Sequence, residues 1–293
     1  MSSFFYKSKN NTREVELYDQ EFFLLRDFIF QQTGIYIGDN KKYLLKNRLI
    51  NRLRELNLNS FEEYYFFLKY DSSKQSELNH LYAVISTNET SFFRNGPQLQ
   101  VFQKNIIPEI LQKKKQQDQN KLRIWSAGCS TGEEPYTLIM MLYEVLGRQI
   151  KQWDIKIYAN DLSSNVIEKA EQGVYTSYTL RNTPQEYLDK YFAKQQDGKY
   201  KVIPELKKYI SFSTLNLNNS SQIKQVETSD IIFCRNVIIY FEDKVRIKLI
   251  NAFYDKLNYG GYLFIGHSES LHNISRVFKP CYYSGAIIYK KEG

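Results

Sequence analysis

Apolar positions along the first 85 residues recur at helical spacing. Glu21 to Gln32 (EFFLLRDFIFQQ) has the length and composition of a helix and meets a stop near Gly34, with Gly38 beyond it. A second helix is expected from about Asn40 to Leu56, entered through Asp39 or Asn40 as a cap. Its Leu45, Leu49, Leu53 and Leu56 lie four, four and three residues apart, which puts them on one face. Residues 41–54 carry six Lys or Arg and no acid, and on a helical wheel Lys41, Arg48 and Arg52 fall on one flank of the leucine stripe. Ser60 opens an aromatic segment, Phe61 to Leu68, with Glu63 in the capping-box position. No strand signal interrupts this region, so the pattern predicts a small all-α domain over residues 1–85.

The texture changes after the polar stretch 112–121. Lys121 to Ser126 reads as a short strand, Ala127 to Gly132 as a small-residue turn, and Glu133 to Leu146 as a helix stopped by Gly147. Ile155 to Ala159 is the next strand, followed by a helix over Ser163 to Gln172 with Gly173 after it. Asp230 to Arg235 is a strongly apolar strand, Asp243 to Leu257 a helix ended by Gly260-Gly261, Tyr262 to Gly266 a strand, and Ala286 to Lys290 the last. Strands alternating with helices predict an α/β domain on a parallel sheet, here over residues 86–293. Residues 181–210 break the alternation. There Asp197-Gly198, flanked by Tyr191-Phe192 and Tyr200 to Ile203, predicts a small β-hairpin insertion.

Composition narrows the class. Of 293 residues, 40 are Lys or Arg and 32 Asp or Glu, a formal charge of +8, and 42% are hydrophobic, which excludes a disordered chain. No apolar run reaches the ~18 residues that span a bilayer, so no membrane insertion is expected. The first residues, Met1 to Lys7, show no secretion signal. Cys129, Cys234 and Cys281 are far apart and form no CxxC pair, and only His80, His267 and His272 could add imidazole ligands. A disulfide scaffold and the common zinc patterns are therefore not expected, and the cysteine usage fits a cytoplasmic protein.

In open α/β sheets a ligand sits beyond the carboxyl ends of the strands. The first such turn here is Ala127-Gly128-Cys129-Ser130-Thr131-Gly132-Glu133-Glu134. No lysine follows Gly132, so it is not a phosphate-binding P-loop, and two glutamates at the helix start would repel a pyrophosphate. Asp161, ending the second strand, stands where an acid hydrogen-bonds ribose hydroxyls. An adenosine-containing cation fits both features, and S-adenosylmethionine is one. The bland alternatives are dipole partners for Glu133 and Glu134 and a helix cap for Asp161.

Three segments carry a specific resemblance. They are Thr87-Asn88-Glu89-Thr90-Ser91-Phe92-Phe93-Arg94, Ile124 to Tyr136 (IWSAGCSTGEEPY), and Ile232 to Phe241 (IFCRNVIIYF), with Gly260 to Glu269 (GGYLFIGHSE) following in place. Together, collinear over about residues 20–290, they make the chain similar to the bacterial chemotaxis-receptor methyltransferases, the CheR family. The resemblance implies a helical N-terminal domain and a class I S-adenosylmethionine-dependent, Rossmann-like methyltransferase domain with an inserted β-subdomain. It implies methyl transfer to glutamate side chains on the cytoplasmic methylation helices of chemoreceptors, leaving S-adenosylhomocysteine and needing no metal.

By motif, Asn88, Thr90 and Arg94 would border the cofactor, and Glu134 and Asp161 would hold its amino or ribose groups. Asn216-Leu217 and Arg235-Asn236 would complete the pocket. Arg94 and Tyr240 are the candidates for orienting the reacting carboxylate, since both can donate hydrogen bonds. Their alternatives are a structural ion pair for Arg94 and a packed aromatic for Tyr240. Lys41, Arg48, Arg52 and Arg54 would form the receptor-binding surface on the second helix, with Asn51 standing where some relatives carry another arginine. The short Ala193–Lys199 segment implies little binding of a receptor tether peptide. A methyltransferase of nucleic acid or small molecules is the rival enzyme, but no Asn/Asp-Pro-Pro-aromatic tetrad follows the Asp230–Arg235 strand. A non-catalytic binding module would be expected to have lost Gly128, Gly132, Glu134 or Asp161. A monomer that does not engage nucleic acid is expected.

Overall fold

The computed structural model describes residues 15–86 and 89–292. The described chain opens with four helices, α1 (Asp19–Thr33), α2 (Lys42–Glu55), α3 (Phe61–Tyr70) and α4 (Lys74–Ile85). It divides into two compact units. The first holds the chain up to Phe28 and Ile37–Leu78; the second holds Ile29–Tyr36 and everything from Asn79 onward.

In the first unit the leucine stripe of α2 does what its spacing demands: Leu45, Leu49 and Leu53 are fully buried. Phe61, Tyr64 and Leu68 of α3 are buried with them in the same unit. The Ser60 hydroxyl caps α3 by accepting from the Glu63 N–H at 3.1 Å, while Glu63 reaches back to the N–H of Asn59 at 2.7 Å. Neither Asp39 nor Asn40 caps α2, which is entered through Lys41 with no side-chain cap hydrogen bond. Asp39 begins a 3-10 turn, Asp39–Lys41, and its carboxylate pairs instead with the Arg26 guanidinium at 2.8 Å.

The second unit is a three-layer α/β domain. After α5 (Gly96–Val101), a π-turn and α6 (Ile107–Gln116) come β1 (Lys121–Ala127), α7 (Glu133–Leu146), β2 (Asp154–Asp161) and α8 (Ser164–Gln172). Next are β3 (Val174–Tyr175), α9 (Gln185–Tyr191), β4 (Phe192–Lys194), β5 (Tyr200–Val202) and α10 (Pro204–Lys207). The chain closes with β6 (Ile210–Thr214), α11 (Ser220–Gln225), β7 (Ser229–Cys234), α12 (Asp243–Lys256), β8 (Leu257–Ile265), β9 (Lys279–Tyr283) and β10 (Ala286–Lys290).

The main sheet runs β6-β2-β1-β7-β8-β10-β9, parallel through its first five strands and antiparallel at the β10–β9 hairpin. Both faces are covered, so its central strands are apolar without alternation, and β7 is buried throughout. Leu122, Ile124, Phe233 and Phe264 serve one layer of the core; Trp125, Cys234, Leu263 and Ile265 serve the other. Phe233 stacks on Phe264 at 4.3 Å, and Trp125 meets Phe253 edge-on at 5.2 Å. Truncating a buried Trp of this kind typically costs ~3–5 kcal/mol.

Three details depart from the sequence pattern. β8 runs straight through Gly260-Gly261, with a register shift opposite Ser229–Ile231, where the glycines read as a helix stop. β6 joins the main sheet although Ile210 reads as the end of the insertion. The small sheet, ordered β3-β5-β4, contains the expected hairpin but gains a third strand at Val174–Tyr175, too short to leave a periodicity signal.

Candidate active site

The strand order reverses between β1 and β7, since β2 and β6 lie to one side of β1 while β8 lies beyond β7. A cleft enclosing about 1100 Å³, its open mouth included, sits at the carboxyl ends of these strands, the position open α/β sheets reserve for ligands. All of its lining residues belong to the second unit.

The turn after β1 is built around backbone that only small residues allow. Gly128 has φ +80°, and a Cβ there would stand 2.5 Å from a Val237 methyl. Gly132 has φ +92°, and its Cβ would meet that of Ala170 at 2.8 Å. The N–H groups of Gly128 and Cys129 both donate to the Asn160 carbonyl, and that of Ser130 donates to Asp161 Oδ2 at 2.9 Å. Asp161 Oδ1 also accepts from the Ser163 N–H at 3.3 Å. Burial pushes the Asp161 carboxyl up, and backbone N–H groups of Ser130, Ser163 and Leu162 oppose that shift. Asp161 therefore both braces the turn and lines the cleft.

The two glutamates opening α7 differ in role. Glu133 is buried against the Thr131 hydroxyl and does not line the cleft. Glu134 does, with Oε1 accepting from Ser126 Oγ at 2.7 Å and Oε2 paired with Arg235 Nη1 at 3.2 Å. Arg235 is itself buried and spends its remaining nitrogens on protein: Nε on Gln98 Oε1 at 3.0 Å, Nη2 on the Arg94 carbonyl at 2.5 Å. Gln98 in turn donates to the Ile265 carbonyl at 2.7 Å. Arg235 is thus a bracket joining β7, β8, α7 and the segment before α5. Gln98 escaped the sequence reading, because nothing local marks a glutamine whose partners lie more than 130 positions away.

Arg94 lines the cleft between two residues in the left-handed region, Phe93 (φ +52°) and Asn95 (φ +61°), and its Nη1 donates to the Glu89 carbonyl at 2.7 Å. Strained backbone of this kind concentrates at functional sites. Thr90 lines the same wall, whereas Asn88 lies outside the described residues. Leu217 and Asn236 also face the cleft, Asn236 with φ +60°.

Asn216 lines it too, but its side chain is engaged: Nδ2 donates to the Gln32 carbonyl at 2.6 Å and Oδ1 accepts from the Asn218 N–H. That bond brings in a segment absent from the sequence expectation, the end of α1. Thr33 and Ile35 line the cleft, Ile35 bridges to Phe241, and the Tyr36 N–H donates to the Tyr240 carbonyl at 2.9 Å. Tyr240 ends the 3-10 turn Ile238–Tyr240, half-buried at the cleft wall. Cys129 is buried, and burial drives its thiol well up, which suits a small filler and not a nucleophile. In all, the residues lining the cleft include Glu89, Glu134 and Asp161 together with Arg94 and Arg235.

The cationic candidates of the first unit are not equivalent. Lys41 and Arg54 are exposed, Arg54 bonded to Asn51 at 3.2 Å, and Arg48 is half-buried. Arg52 is locked into the unit: it grips the carboxylate of Glu77 through Nε and Nη2 (2.6–3.1 Å) and that of Glu55 through Nη1 at 2.8 Å. Glu77 is only 3% exposed and also accepts from the Tyr64 hydroxyl at 2.7 Å. Helical periodicity put Arg52 on the same flank as Lys41 and Arg48, but it could not show the buried carboxylate waiting there.

No helix among the described residues is long and apolar enough to cross a membrane. Comparison with known proteins gives a consistent answer. Residues 20–86 match the family described as "CheR methyltransferase, all-alpha domain", and residues 88–286 match "CheR methyltransferase, SAM binding domain". The chain is 36% identical over 265 residues to chemotaxis protein methyltransferase 2 of Vibrio cholerae, covering 90% of each chain. It is 38% identical to the chemotaxis protein methyltransferase of Borreliella burgdorferi (83% of this chain, 85% of that one) and 34% identical to that of Escherichia coli (91% and 90%). Fold, site and relatives agree: this chain belongs to the CheR family of S-adenosylmethionine-dependent methyltransferases, whose known role is to methylate glutamate side chains of chemotaxis receptors.

Proposed function

We propose that the cleft binds S-adenosylmethionine and presents it to a receptor glutamate, with Arg94 and Tyr240 orienting the carboxylate. The observation that carries this reading is the convergence of Glu134, Asp161, Arg94 and Tyr240 on one cleft at the β1/β7 switch point. The residues suit the donor. Two glycines open a cradle that a Cβ would fill. Asp161 offers acceptors to ribose hydroxyls, and Glu134, with one oxygen on Ser126 and the other on Arg235, keeps lone pairs for an ammonium. Thr90, Asn216, Leu217 and Asn236 complete the pocket. Arg235 acts through the groups it brackets.

When bound, S-adenosylmethionine supplies a methyl group on a sulfonium, which leaves as a neutral thioether when a carboxylate oxygen takes the methyl. The substrate glutamate, at a reference pKa of ~4.3, is already ionised at neutral pH, so the protein needs no general base. Charge disappears in the transition state, so a strong clamp on the carboxylate would oppose the reaction. Hydrogen bonds from Arg94 and the Tyr240 hydroxyl instead hold one oxygen in line and exclude water. Arg94 already spends its Nη1 on the Glu89 carbonyl at 2.7 Å.

Lys41, Arg48 and Arg54 form the docking surface for acidic methylation helices of cytoplasmic chemoreceptors, and Arg52 supports it from within. The enzyme acts as a monomer, without metal and without engaging nucleic acid. Incubation with methyl-labelled cofactor and receptor-containing membranes tests the reading. Label should appear on receptor-sized protein and be released as methanol by mild base, as an ester requires; base-stable label would overturn it.

A further inference from the structure

Glu269 lies outside every role assigned so far, yet it is the most heavily committed carboxylate beside the cleft. It closes the turn after β8. Its own N–H donates to the Gly266 carbonyl at 2.9 Å, and its Oε2 accepts from the Gly266 N–H. The same Oε2 accepts from the Asn236 N–H at 3.1 Å, and Oε1 accepts from the Ile239 N–H at 3.2 Å. Three backbone donors from two loops therefore converge on one side chain. Two of them belong to the Asn236–Tyr240 segment, whose first residue has φ +60° and whose last is Tyr240.

Gly266 makes the arrangement possible. A Cβ on it would stand 2.7 Å from Glu269 Oε2 and 2.9 Å from the Asn236 nitrogen. We propose that Glu269 is a positioning residue for methyl transfer, fixing the 236–240 turn so that the Tyr240 hydroxyl meets the substrate carboxylate. This rests on the reading of Tyr240 given above. Glu269 itself does not line the cleft. A carboxyl group can accept from all three donors at once, whereas an amide in its place turns an N–H against one of them.

The test is a double-mutant cycle on E269Q and Y240F, with receptor and S-adenosylmethionine. E269Q should lower kcat about tenfold or more while the Kd for S-adenosylhomocysteine and the receptor KM stay within about threefold. Y240F should slow kcat comparably, and the double variant should be no more than about threefold slower than the slower single one. A kcat for E269Q within about twofold of wild type, or losses that multiply in the double variant, overturns the proposal. Y240F at wild-type speed removes the reading of Tyr240 and this proposal with it, whereas a slow Y240F beside a fast E269Q removes this proposal alone. Should E269Q fail to fold, G266A displaces the carboxylate without removing its charge and should reproduce the kcat loss; normal turnover by G266A then overturns the proposal.

Discussion

At the residue scale, Asp161 carries two loads, one on the Ser130 N–H and one toward the cleft. Removing its carboxylate should weaken S-adenosylmethionine and S-adenosylhomocysteine alike, because both present the same ribose. A lost charge-assisted hydrogen bond of this sort costs ~1.5–3 kcal/mol, or about ten- to a hundredfold in affinity. Calorimetry on Asp161→Ala checks it, and selective loss of one ligand would contradict the ribose assignment. The single residues legible in the sequence were those with a local signature: Gly128 and Gly132 in a strand-turn-helix, Glu134 at a helix start, Asp161 at a strand end. Gln98, Glu269 and the left-handed pair Phe93 and Asn95 were not. Their meaning lies in partners far along the chain or in dihedral angles that residue types alone do not report.

At the scale of elements, the parallel sheet was readable because buried strands are short apolar runs between amphipathic helices. β3 and β6 were not. A two-residue strand has no period, and β6 joins the sheet by pairing with β2, which no local pattern announces. The amino end of β1 and the middle of β2 are tied together by Glu227, which accepts from Lys121 and from the Tyr158 hydroxyl and pairs with Arg123 at 3.3 Å. Hydrogen bonds from Lys121 and then Tyr158 hold its carboxyl down at about 2. A lowered carboxyl contributes stability that is present above its unfolded value, ~4.3, and lost as pH falls through the folded one. Glu227→Gln should therefore lower Tm at pH 7 and converge on the wild type as pH approaches 2. The difference stays modest in salt, because the group is a third exposed. Thermal melts across pH 2–7 show whether the gap closes; a constant gap would point to packing instead.

At the scale of the molecule, the cationic helix separates into two kinds of residue. Arg52→Ala strands the buried Glu77 carboxylate and should cost roughly 3 kcal/mol, seen as a lower denaturation midpoint with kcat retained in the folded fraction. Lys41→Glu with Arg54→Glu should leave stability alone, raise the receptor KM and flatten its salt dependence, since exposed charges act on encounter and are screened beyond ~8–10 Å. Receptor methylation measured at low and high salt distinguishes the two. If the exposed pair has no effect at either, receptors dock elsewhere.

The end of α1 sets the order of synthesis against the order of assembly. Gln32 holds Asn216, Ile35 pairs with Phe241, and Tyr36 holds the Tyr240 carbonyl, so the catalytic unit begins inside a helix that starts the other unit. A chain cut at Asn79 should bind S-adenosylhomocysteine more weakly than the whole, and isothermal titration of the two would measure the deficit. A ribosome therefore delivers the wall's first strap long before the strands that it will meet.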